Sequence, residues 1–163
     1  MFDEFSERSR QLVFLARLKA GQRGSKTIEI EDLLTAFVIE DQGGFVAAVS
    51  EGREDVTWVI QHEPATREPF LAPETASALL AKLEALGPRS QPLPKSAEMP
   101  LSQACKNAMS RADSLHDEMQ HTWIEPLHLL AAILEHRNSK AAKLFCEAGI
   151  TREKIDAFMK GET

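Results

Sequence analysis

The chain has 163 residues, a formal net charge of −6 and 43% hydrophobic residues. That length holds one ordinary domain or two small fused units, and the apolar share is enough for a packed core. The acidic balance argues against nucleic acid as a partner, since phosphate binding needs a basic face. No apolar run approaches the roughly 20 residues that span a bilayer, and the opening Met1-Phe2-Asp3-Glu4-Phe5 lacks the regions of a secretory signal. Cys105 and Cys146 lie far apart, so free thiols and a cytoplasmic setting are expected.

Tyrosine is absent while alanine and leucine abound, which favours helix over sheet. Ser6 is a good N-cap for a first helix carrying Leu12, Leu15, Ala16 and Lys19 at helical spacing and ending at Gly21 and Gly24. A second helix is predicted over about 31–40, a short one over 45–51, stopped by Gly52, and another over 54–62. Three prolines make 64–73 extended, and 73–86 reads as an extra helix with Ala76, Leu79, Leu80 and Leu83 on one face. Pro88, Pro92, Pro94 and Pro100 mark 87–100 as a linker with a largely solvated backbone. Ser102 then caps a helix carrying Cys105, Ala108, Met109, Ala112 and Leu115. Further helices follow over about 125–136, 140–148 and 152–160, the last with Thr151 as its cap.

The series repeats. Residues 5–38 align without gaps on 101–134 at a constant offset of 96: Ser6 meets Ser102, Ala16 meets Ala112, Ile28-Glu29 meets Ile124-Glu125, and Leu33-Leu34 meets Leu129-Leu130. An ungapped match of this length points to internal duplication. The expected fold is all-α: two tandem pseudo-twofold repeats, over about 1–63 and 101–163, separated by the added helix and linker of 64–100.

The opening Phe2-Asp3-Glu4-Phe5-Ser6 and Ile28-Glu29-Ile30-Glu31-Asp32-Leu33-Leu34, with Leu101-Ser102-Gln103-Ala104 and Ile124-Glu125-Pro126-Leu127-His128-Leu129-Leu130, resemble the amino-terminal domain of Clp (Hsp100) unfoldases. The resemblance covers both repeats but not roughly 73–98. It implies four-helix repeats and a non-catalytic module that binds adaptor proteins or substrate segments for an ATP-driven unfoldase. In some members each repeat offers an anion site that reads phosphorylated arginine, near the N-cap hydroxyl of its first helix and the Glu before Leu-Leu. By that pattern the first copy keeps Ser6 and Glu31. The second keeps Ser102 but has Leu127 in place of the acid, and leucine cannot pair with a guanidinium. Phe2, Ser6, Arg10, Glu31 and Ser102 are therefore the candidate partner-contacting residues; plain helix capping would equally explain the two serines. The unfoldases' phosphate loop, Gly-x-x-x-x-Gly-Lys-(Ser/Thr), does not occur in this sequence.

Other clusters read as structural. His116, His121, His128 and His136 are spaced by five, seven and eight residues, which gives no i, i+4 ligand pair. No metal and no cofactor is expected. His128 belongs near a helix start and the other histidines on the surface. Cys105 falls on an apolar stripe where Ser9 sits in the first copy. Glu29, Glu31 and Asp32 read as a solvated helix start. Arg8, Arg10, Arg17, Lys19, Arg23 and Lys26 gather about the first helix. Most aromatics should be core, with Phe2 and Phe70 placed to contribute to an apolar partner groove. The alternatives to an interaction module are a small Cys/His enzyme and a regulatory dimerisation module.

Overall fold

Two serines start the two equivalent long helices. Ser6 Oγ accepts from Ser9 N (3.1 Å) at the head of α1, Glu7–Gln22, and Ser102 Oγ accepts from Cys105 N (3.2 Å) at the head of α5, Gln103–Glu118. The computed structural model describes residues 3–50, 68–86, 90–93, 99–136 and 139–161. Among them the remaining helices are α2, Ile30–Asp41; α3, Phe45–Ser50; α4, Pro73–Glu84; α6, Pro126–Glu135; α7, Lys140–Glu147; and α8, Arg152–Met159. The expected helix over 54–62 lies outside the described residues.

The second helix of each copy forms the centre of the core. Leu33, Leu34, Ala36, Phe37 and Val38 of α2 are buried, as are Leu129 to Leu134 of α6. A helix apolar on nearly every side must be surrounded. Accordingly α1 covers α2, α5 covers α6, and α2 and α6 touch each other. Phe37 and Phe145 meet edge to face across the copies, with ring centroids 6.5 Å apart.

The added helix α4 carries Pro73 at its first turn and buries Ala76, Leu79 and Leu83. It packs on α2, as α8 packs on α6, and also on α7 of the second copy. The buried Asp41 carboxylate fixes its approach, accepting from Phe70 N (2.8 Å) and Leu71 N (3.0 Å).

The linker departs from the solvated backbone expected of it. Ser90 N donates to Arg23 O (2.9 Å) and Leu93 N to Gly21 O (2.9 Å), so 90–93 closes the carbonyl end of α1. The helix runs through Gly21, and the turn is made at Gly24, whose φ is +79°. A Cβ there would lie 2.6 Å from Gln91 O and 2.7 Å from Ser90 Cβ. Gly24→Ala should therefore destabilise by about 2 kcal/mol, from left-handed backbone strain plus the clash. Urea unfolding would show it, and a loss below about 0.5 kcal/mol would mean that the linker gives way.

Candidate functional site

The copies are joined by a reciprocal exchange. Phe5 forms a parallel bridge with Ile124, and Leu101 forms the equivalent bridge with Ile28. Ser6 N donates to Ile124 O (3.1 Å) and Ile124 N to Glu4 O (2.8 Å); Ser102 N donates to Ile28 O (3.0 Å) and Ile28 N to Pro100 O (3.0 Å). One further donor reinforces each junction: the Ser9 hydroxyl gives to Ile124 O (2.7 Å) and the Cys105 thiol gives to Ile28 O (3.2 Å). Every partner in one junction maps to its counterpart in the other by the offset of 96.

This exchange re-pairs the candidate residues. Glu31 reaches Arg23 Nη2 at 3.5 Å, beyond the C-terminal end of α1, whereas Ser6 caps the other end of the same helix. At 1.5 Å per residue the two stand roughly 24 Å apart along a 16-residue helix. The expectation that Ser6 and Glu31 form one site within the first copy is therefore corrected. Along the chain, Glu31 follows Ile28, whose carbonyl accepts from Ser102 N, and Leu127 follows Ile124, whose carbonyl accepts from Ser6 N. Arg10 is exposed on α1, on the Ser6 side. Phe2 lies outside the described residues.

The junctions differ in chemistry. At the Ile28 junction, in the first copy, Asp32 is buried and not the solvated acid expected from its position: Arg23 Nε and Nη2 grip its two carboxylate oxygens at 2.8 and 2.7 Å. Its Oδ2 also accepts from Glu29 N (2.9 Å), completing a capping box for α2. Lys19, Arg23, Glu31, Asp32 and Leu83 line a small cavity of about 100 Å³ here. Arg8, on α1, grips the buried Glu40 through Nε and Nη2 at 2.9 and 2.8 Å.

At the second junction His128 replaces the acid and Met119 replaces the arginine. His128 Nδ1 accepts from Glu125 N (2.8 Å), so its proton sits on Nε2, which donates to His121 Nδ1 (2.9 Å). Burial, then the positive charge that His121, His116 and Arg152 would present to an imidazolium, lower the His128 pKa to about 4. Thr27 donates to Glu29 Oε2 in the first copy. Trp123 holds that place in the second, and the buried Glu125 Oε1 has no hydrogen-bond partner among the described residues. Trp123 is 51% exposed, not core, and with Arg8, His121, Glu125, Leu127 and Phe158 it lines a cavity of about 510 Å³. Phe70 is half-buried, with its ring edge-to-face on Phe158 at 5.3 Å.

Neither thiol is arranged as a nucleophile. Burial pushes the Cys105 thiol up to about 12, so it stays protonated at neutral pH. Cys146 is exposed beside a groove of about 670 Å³, and no histidine is among the groove's lining residues. No described helix is long and apolar enough to cross a membrane.

A family model described as the Clp repeat (R) N-terminal domain matches residues 72–160. That span takes in α4, which the sequence reading had left outside the resemblance. No curated protein sequence matches the chain. Among solved structures, the N-terminal domain of the caseinolytic protease associated chaperone ClpD from Arabidopsis thaliana superposes with a TM-score of 0.65 at 16% identity, covering 100% of both chains. The Hsp104 N-terminal domain from Candida albicans gives 0.60 at 18%, covering 99% of this chain and 94% of that one. A chain from structural investigations of a malarial protein secretion system gives 0.66 at 14%, covering 98% and 94%. At these identities the likeness is one of fold.

Proposed function

The chain belongs to the Clp repeat (R) N-terminal domain family, and from that premise we propose that it is a non-catalytic protein-interaction module of a Clp/Hsp100 chaperone or protease system. Its partners are adaptor proteins, client segments or Clp components, met in the cytoplasm. We read 1–63 and 101–163 as the two copies, with 64–100 between them. The observation that supports the site is the cross-copy junction: Ser102 N, at the head of α5, donates to Ile28 O, three residues before the half-buried Glu31. A carboxylate next to a helix N-terminus suits a ligand with a guanidinium and an anionic group together, which is the chemistry of phosphoarginine. The other junction offers Ser6 with Leu127, so one such site is proposed, not two.

Calorimetric titration with phosphoarginine tests it. Glu31→Ala should weaken binding at least tenfold, which corresponds to about 1.4 kcal/mol. Equal binding by both proteins, or none by the wild type, removes the site. The wider reading is tested by recovery of bound proteins from the native cell. If neither a Clp component nor a client is retained, the interaction role fails.

A further inference from the structure

We propose that Glu4, His116 and Asp117, with Asp113 beside the ring's Nδ1 (Oδ1 at 3.3 Å) orienting the imidazole, form a binding site for a divalent first-row transition cation, clipping the N-terminal segment onto α5. One ligand atom from each of these residues lies within 4.8 Å of all the others. Asp113, His116 and Asp117 share one face of α5 by their i, i+3, i+4 spacing. Glu4 arrives from the segment whose carbonyl accepts from Ile124 N.

The buried imidazole is what points to a cation. His116 is 2% exposed, although a surface position was expected. Its Nδ1 stands 2.6 Å from Asp113 O. A carbonyl only accepts, so Nδ1 carries the hydrogen and the Nε2 lone pair faces outward. What Nε2 meets there are two more acceptors, Glu4 Oε2 at 3.1 Å and Asp117 Oδ1 at 3.4 Å. Three electron-rich atoms converge on one point, an arrangement that suits a metal ion between them. Ligand atoms about 2.0–2.2 Å from a tetrahedral centre lie about 3.3–3.5 Å from each other, close to the spacing seen. Fixing the far ring nitrogen on a main-chain carbonyl is also how metal-binding histidines are oriented.

Two further observations separate this cluster from the demands of the fold. The positions related to these by the offset of 96 hold Pro100, Arg17, Ala20 and Gly21, so the repeat architecture does not itself require the set. And the carboxylates are exposed on a cavity of about 530 Å³ that also touches Asp3 and Lys106, which gives an ion a way in. One imidazole with carboxylates selects zinc, manganese or iron(II) over the softer, thiolate-bound ions. Spacing among the histidines alone could not reveal this, because every other ligand is an acid.

The test is calorimetric titration of the tag-free, chelator-treated full chain with Zn²⁺, in a Cys146→Ser background that removes the exposed thiol. One equivalent should bind and raise the thermal midpoint. Asp117→Asn and Glu4→Gln alter exposed side chains, and each should weaken binding at least tenfold while the metal-free protein unfolds at the same temperature. His116→Gln should abolish binding. Zn²⁺ affinity unchanged in the two exposed variants, or no binding by the parent protein, overturns the proposal. Equal binding of Mg²⁺ overturns the transition-metal assignment.

Discussion

Replacing Asp32 with alanine is expected to destabilise the chain by about 3–5 kcal/mol and to lower the thermal midpoint by roughly 10 °C. Asp32 is 2% exposed and its carboxylate receives both arms of Arg23, at 2.8 and 2.7 Å, plus the Glu29 amide at 2.9 Å. The Asp32 hydrogen bonds raise the Arg23 pKa against the opposing effect of burial, so the contact favours the charged guanidinium. Truncation would leave a largely buried guanidinium to Glu31, 3.5 Å away, and the more distant charge of Glu29. The second copy shows how the same place is filled without charge, by Met119 and His128. The double variant Arg23→Met, Asp32→His should accordingly be more stable than Asp32→Ala, because no buried cation is left behind. Equilibrium urea unfolding of the three proteins measures this. A single-variant loss under about 1 kcal/mol would show that the ion pair is no better than a surface contact.

A second large effect is expected on acidification. His128 has its pKa lowered to about 4 by the fold, below the ordinary 6.5. The folded state therefore prefers the neutral ring. The stability contributed by this preference is complete above about pH 6.5 and is lost as pH falls towards 4, up to about 3 kcal/mol in all. Protonation would place a second N–H against the Glu125 amide, which now donates to Nδ1, and would open the capping box of α6. Asparagine can accept from that amide without titrating. Between pH 7 and 4.5 the wild type should lose about 2 kcal/mol more than His128→Asn, a comparison that cancels the carboxylates common to both. Parallel curves would mean that the ring charges at no cost.

Most helix starts were legible because local chemistry sets them: Ser6, Ser102 and Thr151 each accept the amide three residues on. The duplication was legible because an offset can be counted. What the offset could not say is which copy supplies the partner. Similarity aligns Ser6 with Ser102, and only the chain path shows that each serine answers to the other copy's Ile28 or Ile124. Burial of Asp32 was missed because an acid in a helix's first turn has a sufficient reason at the surface, in the dipole. Its partner Arg23 sits across the Gly24 turn, where sequence spacing carries no signal. Burial of His116 was missed for a related reason: its neighbours include Glu4, which lies far away along the chain.

The reciprocal junctions also bear on how this chain can be divided. Each half leaves two hydrogen-bonding stations open, the stretch before its serine and the carbonyl before its second helix, and each is filled only by the other half. The pairings join residues 73 and 119 positions apart, Ile28 with Leu101 and Phe5 with Ile124. Formation of the interface is then a high-contact-order step in an otherwise locally assembled helical protein, and should limit the folding rate. The same complementarity lets one half, supplied as a separate chain, satisfy a twin of itself about a true dyad. The tandem gene arrangement turns that bimolecular encounter into an intramolecular one, independent of concentration.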